Sequence, residues 1–169
     1  NLLEDGNAGV IGGKINLSAP DGIGTGTVLE VTAATELNAD TTDSAIIIDS
    51  LGNLGLGLID TGAGYVKLAS TTSIDDAAVN PDVVTDIIAG TLDLDAATGI
   101  GASAAIETAV GTISADTTNG NIDLDDSSAD NVTVSSLTTG DGYINFNQSG
   151  GGSLTALTVT ANGTSDSGV

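Results

Sequence analysis

The sequence predicts an all-β chain wound as a parallel β-helix, or β-solenoid. Three observations carry that expectation: period-two alternation of aliphatic residues, a long internal repeat, and a hydrophobic fraction almost free of aromatics. Hydrophobic residues make up 40% of the 169, yet the aromatics are only Tyr65, Tyr143 and Phe146. Ala, Ile, Leu and Val carry nearly everything else. The interior must therefore be narrow and regular enough for aliphatic side chains to fill it. Twenty-four glycines against two prolines imply many tight turns and no proline-rich linker.

In chain order, the alternating segments are Ile15/Leu17, Leu29/Val31, Ile46/Ile48, Leu54/Leu56/Leu58 and Val66/Leu68. Leu92/Leu94, Ile122/Leu124, Val132/Val134, Ile144/Phe146 and Leu157/Val159 follow. Each reads as a strand with one buried face, and clusters of Gly, Asn, Asp, Ser and Thr separate them. Only Thr71–Ala89 fits a short helix or an excursion loop, and Pro81 in its middle argues against a long helix.

Three landmarks recur in order. Gly13-Lys-Ile-Asn-Leu-Ser-Ala-Pro-Asp-Gly-Ile-Gly24 matches Gly90-Thr-Leu-Asp-Leu-Asp-Ala-Ala-Thr-Gly-Ile-Gly101. Ala39-Asp-Thr-Thr42 matches Ala115-Asp-Thr-Thr118, and Thr61-Gly-Ala-Gly-Tyr-Val-Lys-Leu68 matches Thr139-Gly-Asp-Gly-Tyr-Ile-Asn-Phe146. The offsets are 77, 76 and 78 residues, so residues 1–169 read as one segment with long repeats at 13–89 and 90–166.

Two architectures satisfy that pattern. Each repeat of about 77 residues is either a small β-sandwich, in tandem with the next, or about four coils of a β-helix near 20 residues each. The openings Gly13-Lys-Ile-Asn-Leu, Gly90-Thr-Leu-Asp-Leu, Gly120-Asn-Ile-Asp-Leu and Gly142-Tyr-Ile-Asn-Phe share one grammar, Gly-x-apolar-Asn/Asp-apolar. Stacked coils require such recurrence at one corner, so it favours the solenoid. Eight coils at ~4.8 Å would make a rod of about 40 Å.

Formal net charge is −21, with Lys14 and Lys67 the only bases. Nucleic acid and anionic membrane surfaces are poor partners for such a chain, and no apolar run approaches the ~20 residues that membrane insertion needs. The start at Asn1 and the absence of Met are those of a processed or partial chain, with any export signal already removed. Without Cys or His there is no thiol nucleophile and no imidazole base, so an enzyme is not expected. Asp93/Asp95 and Asp123/Asp125/Asp126 supply carboxylate pairs of the type glycosidases use, but the Arg, His and aromatic groups that would bind a sugar are missing or nearly so. Gly24/Gly26 and Gly62/Gly64 lack the rest of any nucleotide-loop pattern and read as turn glycines.

Gly99-Ile-Gly-Ala-Ser-Ala-Ala-Ile-Glu-Thr-Ala-Val-Gly-Thr-Ile-Ser-Ala-Asp-Thr-Thr-Asn-Gly-Asn-Ile-Asp-Leu124 resembles the rod repeats of filamentous haemagglutinin-like giant bacterial surface proteins. Gly22-Ile-Gly24, Val28-Leu-Glu-Val31 and Leu37-Asn-Ala-Asp-Thr-Thr42 form its weaker partner. The resemblance covers most of the chain. It implies a right-handed parallel β-helix rod, secretion or cell-surface display, and a role in adhesion or matrix building. The Asn-Pro-rich secretion module of that family is not visible.

In the shared grammar the fourth residue points outward, which makes Asn16, Asp93, Asp123 and Asn145 equivalent positions. Neighbouring outward acids repel unless bridged, and Ca²⁺, with six to eight oxygen ligands, is a suitable bridge. The candidate ligands are Asp40, Asp43, Asp123, Asp125, Asp126 and Asp141. The competing reading is a solvated acidic surface that keeps rods apart; neither an EF-hand loop nor a calcium nonapeptide array is present. No cofactor is required.

The expected function is structural: the shaft or a subunit of an extracellular filament, adhesin or sheath. Its partner would be the chain itself, since nothing at Asn1–Val10 or Asn162–Val169 reads as a firm cap against end-to-end stacking. The alternatives are an adhesin module binding a cell-surface glycan or host protein, and a pilus-like sandwich subunit joined by strand exchange.

Overall fold

The computed structural model describes residues 9–32, 35–77 and 84–163. Among them are sixteen strands and no helix. Every strand pairing is parallel. The chain winds as a parallel β-solenoid of about seven turns.

Two stacks of strands form its long sides. The first holds β1 (Val10–Ile11), β3 (Leu29–Thr32), β5 (Ile46–Ser50), β7 (Tyr65–Ser70), β9 (Ile87–Ala96), β11 (Ile106–Thr117) and β13 (Val132–Thr139). It ends in two short strands, β15 (Leu154–Ala156) and β16 (Val159–Ala161). The second holds β2 (Lys14–Ser18), β4 (Glu36–Asp40), β6 (Leu54–Asp60), β8 (Ser73–Asp76), β10 (Gly99–Ile100), β12 (Ile122–Asp126) and β14 (Ile144–Gln148). A short third side joins them where the end of β6 lies beside the start of β9 and the start of β11 lies beside β12.

The core is a set of inward columns. Ile46, Val66, Leu92, Ile113, Val134 and Ala156 stand one above another, and so do Leu29, Ile48, Leu68, Leu94, Ala115, Leu137 and Val159. From Ile46 to Val134 and from Leu29 to Leu137, each aliphatic meets its like at ~4.8 Å and is buried, while Ala156 and Val159 in the last described layer are exposed. A slim interior of this kind has no irregular space for aromatics to fill, which explains their scarcity.

Coil length is uneven. Ile46 lies beside Val66, Val66 beside Leu92 and Leu92 beside Ile113, which are steps of 20, 26 and 21 residues. The long step contains the expected excursion: the chain leaves the sheet after Asp76 and re-enters at Ile87. The middle of that excursion, residues 78–83 with Pro81, lies outside the described residues. Most of the other steps are 21 or 22 residues where about 20 were expected, and the described residues make about seven coils, a rod of about 34 Å, against the eight expected for the whole chain. The end segments 1–8 and 164–169, expected to lack firm caps, also lie outside the described residues.

Three sequence expectations need correction. The tandem sandwich is not the architecture, because strands pair in parallel with the coils before and after them. The four Gly-led openings do not share one corner: Gly142-Tyr-Ile-Asn-Phe stacks directly on Gly120-Asn-Ile-Asp-Leu, whereas Leu92 of the Gly90 unit lies in the first stack, beside Val66 and Ile113. Likewise, each landmark of the 77-residue repeat crosses from one stack to the other, Gly13 preceding β2 and Gly90 lying in β9. The two long sides offer the same environment, an inward aliphatic pair closed by a turn, so one sequence pattern serves both. Finally, Leu58 and Leu157 point outward, 44% and 68% exposed. A register shift between Leu37 and Ala39 against β6 puts Ile59 inside instead of Leu58, and Leu157 falls between β15 and β16.

The turns explain the recurring motifs. Thr41, Thr117 and Thr139 each donate a hydroxyl hydrogen bond to the carbonyl three residues on, at 2.6, 2.9 and 3.1 Å. In Gly22-Ile23-Gly24 and Gly99-Ile100-Gly101 the isoleucine is fully buried. Gly24 (φ 68°) and Gly101 (φ 66°) take left-handed conformations where a Cβ would collide with the Ile47 and Asp123 carbonyl oxygens of the adjacent coil.

Candidate functional site

The outward surface is organised by rows that cross the coils. Asn38 donates to Asn16 at 3.2 Å and Asn145 donates to Asp123 at 2.8 Å, so amides link neighbouring coils. Asp93 belongs to a different row. It accepts from Lys67 at 2.7 Å, Tyr65 at 3.1 Å and Ser114 at 2.6 Å, and Lys67 also reaches Asp95 at 2.8 Å. Partial burial opposes the charge on Asp93, but the hydrogen bonds from Lys67 and Ser114 outweigh it and hold the carboxyl below its ordinary range. Lys67 is likewise opposed by burial, and its two carboxylate partners raise it above the usual lysine value. Asn16, Asp93, Asp123 and Asn145 are therefore not four equivalent positions; Asp123 and Asn145 form one stacked pair, and Asn16 is paired with Asn38.

The six candidate calcium ligands do not gather into one group: Asp123, Asp125 and Asp126 lie on β12, and Asp40, Asp43 and Asp141 lie elsewhere. Asp40 accepts from Ser18 at 3.1 Å. Asp43 holds a left-handed turn (φ 52°) and accepts the Ala63 N–H at 2.9 Å. Asp123 is occupied by Asn145, and Asp125 lies outward beside Glu107. Asp126 points inward and is fully buried; it accepts from the Thr108 hydroxyl at 2.9 Å and from the N–H groups of Val110 and Ser128 at 3.2 and 3.0 Å. Asp141 sits on the exposed turn before β14.

Among the described residues, three carboxylates converge elsewhere. Oxygens of Asp76, Asp86 and Glu107 lie within 4.8 Å of one another at the foot of the excursion. Asp76 and Asp86 are only 9% and 5% exposed. Burial, and then the charges of Asp76 and Glu107, push the Asp86 carboxyl up to about 8, against the Glu107 N–H that donates to it at 3.0 Å. Burial and the neighbouring acids thus favour the protonated form of Asp86, which relieves the repulsion. These are oxygen donors of the kind hard cations take, and of the described carboxylates they alone are grouped closely enough for three to share one ion. Sequence reasoning missed them. The available signal was that Asp76 and Asp86 stand five residues either side of Pro81, so a closed excursion brings them together.

The second distinctive surface is the C-terminal coil. Leu154 and Val159 continue the columns of Val132 and Leu137. Yet they are 47% and 54% exposed where the residues beneath are 1%. Tyr143 and Leu157 on the same coil are exposed as well. The chain has no match among known protein families, curated proteins or solved structures.

Proposed function

We propose that this chain is structural, a shaft segment of an extracellular filament, adhesin or sheath that extends by end-to-end stacking of β-coils. The observation that carries the reading is that, among the described residues, the inward columns reach their last layer at Leu154 and Val159, which are in register for another coil and half exposed. An unpaired strand edge over an apolar core is a template for further strands. Acids along the sides keep such rods from clumping laterally. The likeness of residues 99–124 to surface-protein rod repeats supports secretion or cell-surface display.

Sedimentation velocity across a concentration series, with negative-stain electron microscopy of the same samples, tests this. Concentration-dependent growth into fibres one solenoid wide is expected; a single monomeric species at every concentration would overturn it.

A further inference from the structure

Acids gather in register on the first stack, in the middle of the rod. Glu30, Asp49, Ala69, Asp95 and Asp116 follow one another on β3, β5, β7, β9 and β11, an outward row with one gap. Acids on neighbouring strands repel. Lys67 bonds Asp95 at 2.8 Å, but among the described residues neither Asp49 nor Asp116 has an ion-pair partner. Beside this row the turn residues Leu51, Thr71, Ala97 and Thr118 stack as well, each N–H donating to a carbonyl of the coil before it. A groove of about 330 Å³ runs along the two rows. The four acids give it charge, and Leu51, Ala69, Ala96 and Ala97 give it an apolar lining. From β3 to β11 there are four steps of ~4.8 Å, so the groove is about 19 Å long.

We propose that, independently of any stacking of rods, this groove binds an extended lysine- or arginine-rich segment of another protein. Charge complementarity selects a cationic occupant, since basic groups along the row relieve the repulsion of its acids. The apolar lining suits the same occupant, because Lys and Arg lay their alkyl stems on apolar surface and keep the charged head at a carboxylate. Shape selects a chain over a small amine. Small-molecule sites enclose most of their ligand, whereas Glu30, Leu51, Thr71, Asp116 and Thr118 leave this groove exposed along its length. Six extended residues cover about 20 Å, and their alternate side chains recur at about 7 Å, a spacing that long basic stems adapt to the coils. Ala69 supplies the room: it stands between Asp49 and Asp95, which its coil holds about 10 Å apart. A second copy of the chain is not the occupant. Its only bases, Lys14 and Lys67, are held by Glu36 and by Asp93 and Asp95.

The probe is fluorescein-labelled hexalysine, titrated with the whole chain and read by fluorescence anisotropy. About 0.15 M salt, with a screening length of about 8 Å, suppresses diffuse attraction to the net charge. One variant carries Asp49→Asn with Asp116→Asn. A control carries Asp21→Asn with Asp130→Asn, the same change of charge at exposed positions outside the groove. A third, Ala69→Leu, fills the gap at unchanged charge. Circular dichroism confirms that each keeps its β signal. The groove variant is expected to bind about tenfold more weakly than wild type and the control less than about twofold. Ala69→Leu should weaken binding by at least about threefold. Equal losses in the two double variants, with Ala69→Leu like wild type, would show attraction to the whole surface and overturn the site. A wild type that does not bind the peptide would overturn it too. Spermine binding as tightly as the peptide, with the same losses in the variants, would make the occupant a small amine and overturn the assignment to a protein segment.

Discussion

The middle and the C-terminal end of the rod are built on the same plan and differ in what lies on top of them. Leu94 and Val159 belong to one column, on strands that run in the same direction, yet Leu94 is fully buried and Val159 is 54% exposed. Outward rows differ as well, acids in the middle giving way to amides and threonine at the end. In a solenoid a residue's environment is set by its two neighbouring coils. Burial and charge repulsion therefore both depend on layer number, and the last layer is where the rule can be read.

The largest expected effect separates those layers directly. Leu92→Ala empties a site closed above and below and should cost about 2–5 kcal/mol, while Val159→Ala in the monomer should cost under about 0.5 kcal/mol. Thermal denaturation at low concentration measures both, and equal losses would break the comparison. Next is the turn chemistry. Gly101→Ala places a Cβ against the Asp123 carbonyl at positive φ and should cost about 1–3 kcal/mol, whereas Gly52→Ala meets open space and should be nearly neutral.

A smaller effect concerns the buried carboxyl cluster. The folded-state value of Asp86 lies near 8, above its ordinary 3.8. Its stabilising contribution is therefore full below about pH 4 and is lost as pH rises toward 8. Asp86→Asn should flatten that slope and raise stability at neutral pH by about 1–2 kcal/mol; a variant that melts lower than wild type at pH 8 would contradict the raised Asp86 carboxyl. Smallest of all is the response to metal. Among the described residues neither Asp40/Asp43, Asp123/Asp125/Asp126 nor Asp141 belongs to a group of three acids close enough to share an ion; a rise in melting temperature with millimolar calcium over EDTA that survives Asp86→Asn would show an ion bound at one of them, and coincident melting would show none.

How much of this was legible in the sequence depended on distance along the chain. Ile46/Ile48 or Leu92/Leu94 announce a half-buried strand within a few residues, and with the aliphatic interior that sufficed for the fold class. Leu58 misled because the register shift that turns it outward is set by its partner β4, some 20 residues earlier. The same limit applied to the carboxyl cluster. Glu107 meets Asp86 only because the excursion has the length that places them on adjacent coils. The long repeat misled in a more instructive way, since its copies fall on opposite sides of the rod.

The proposed stacking requires that the C-terminal coil, half exposed at Leu154 and Val159 among the described residues, becomes covered on assembly. Hydrogen exchange followed by peptide mass analysis, on dilute and on assembled protein, tests it most directly. Residues 143–163 should exchange quickly when dilute and slowly when assembled, while residues 87–117 stay protected in both. Protection of 143–163 in the dilute monomer equal to that of 87–117 would contradict the account.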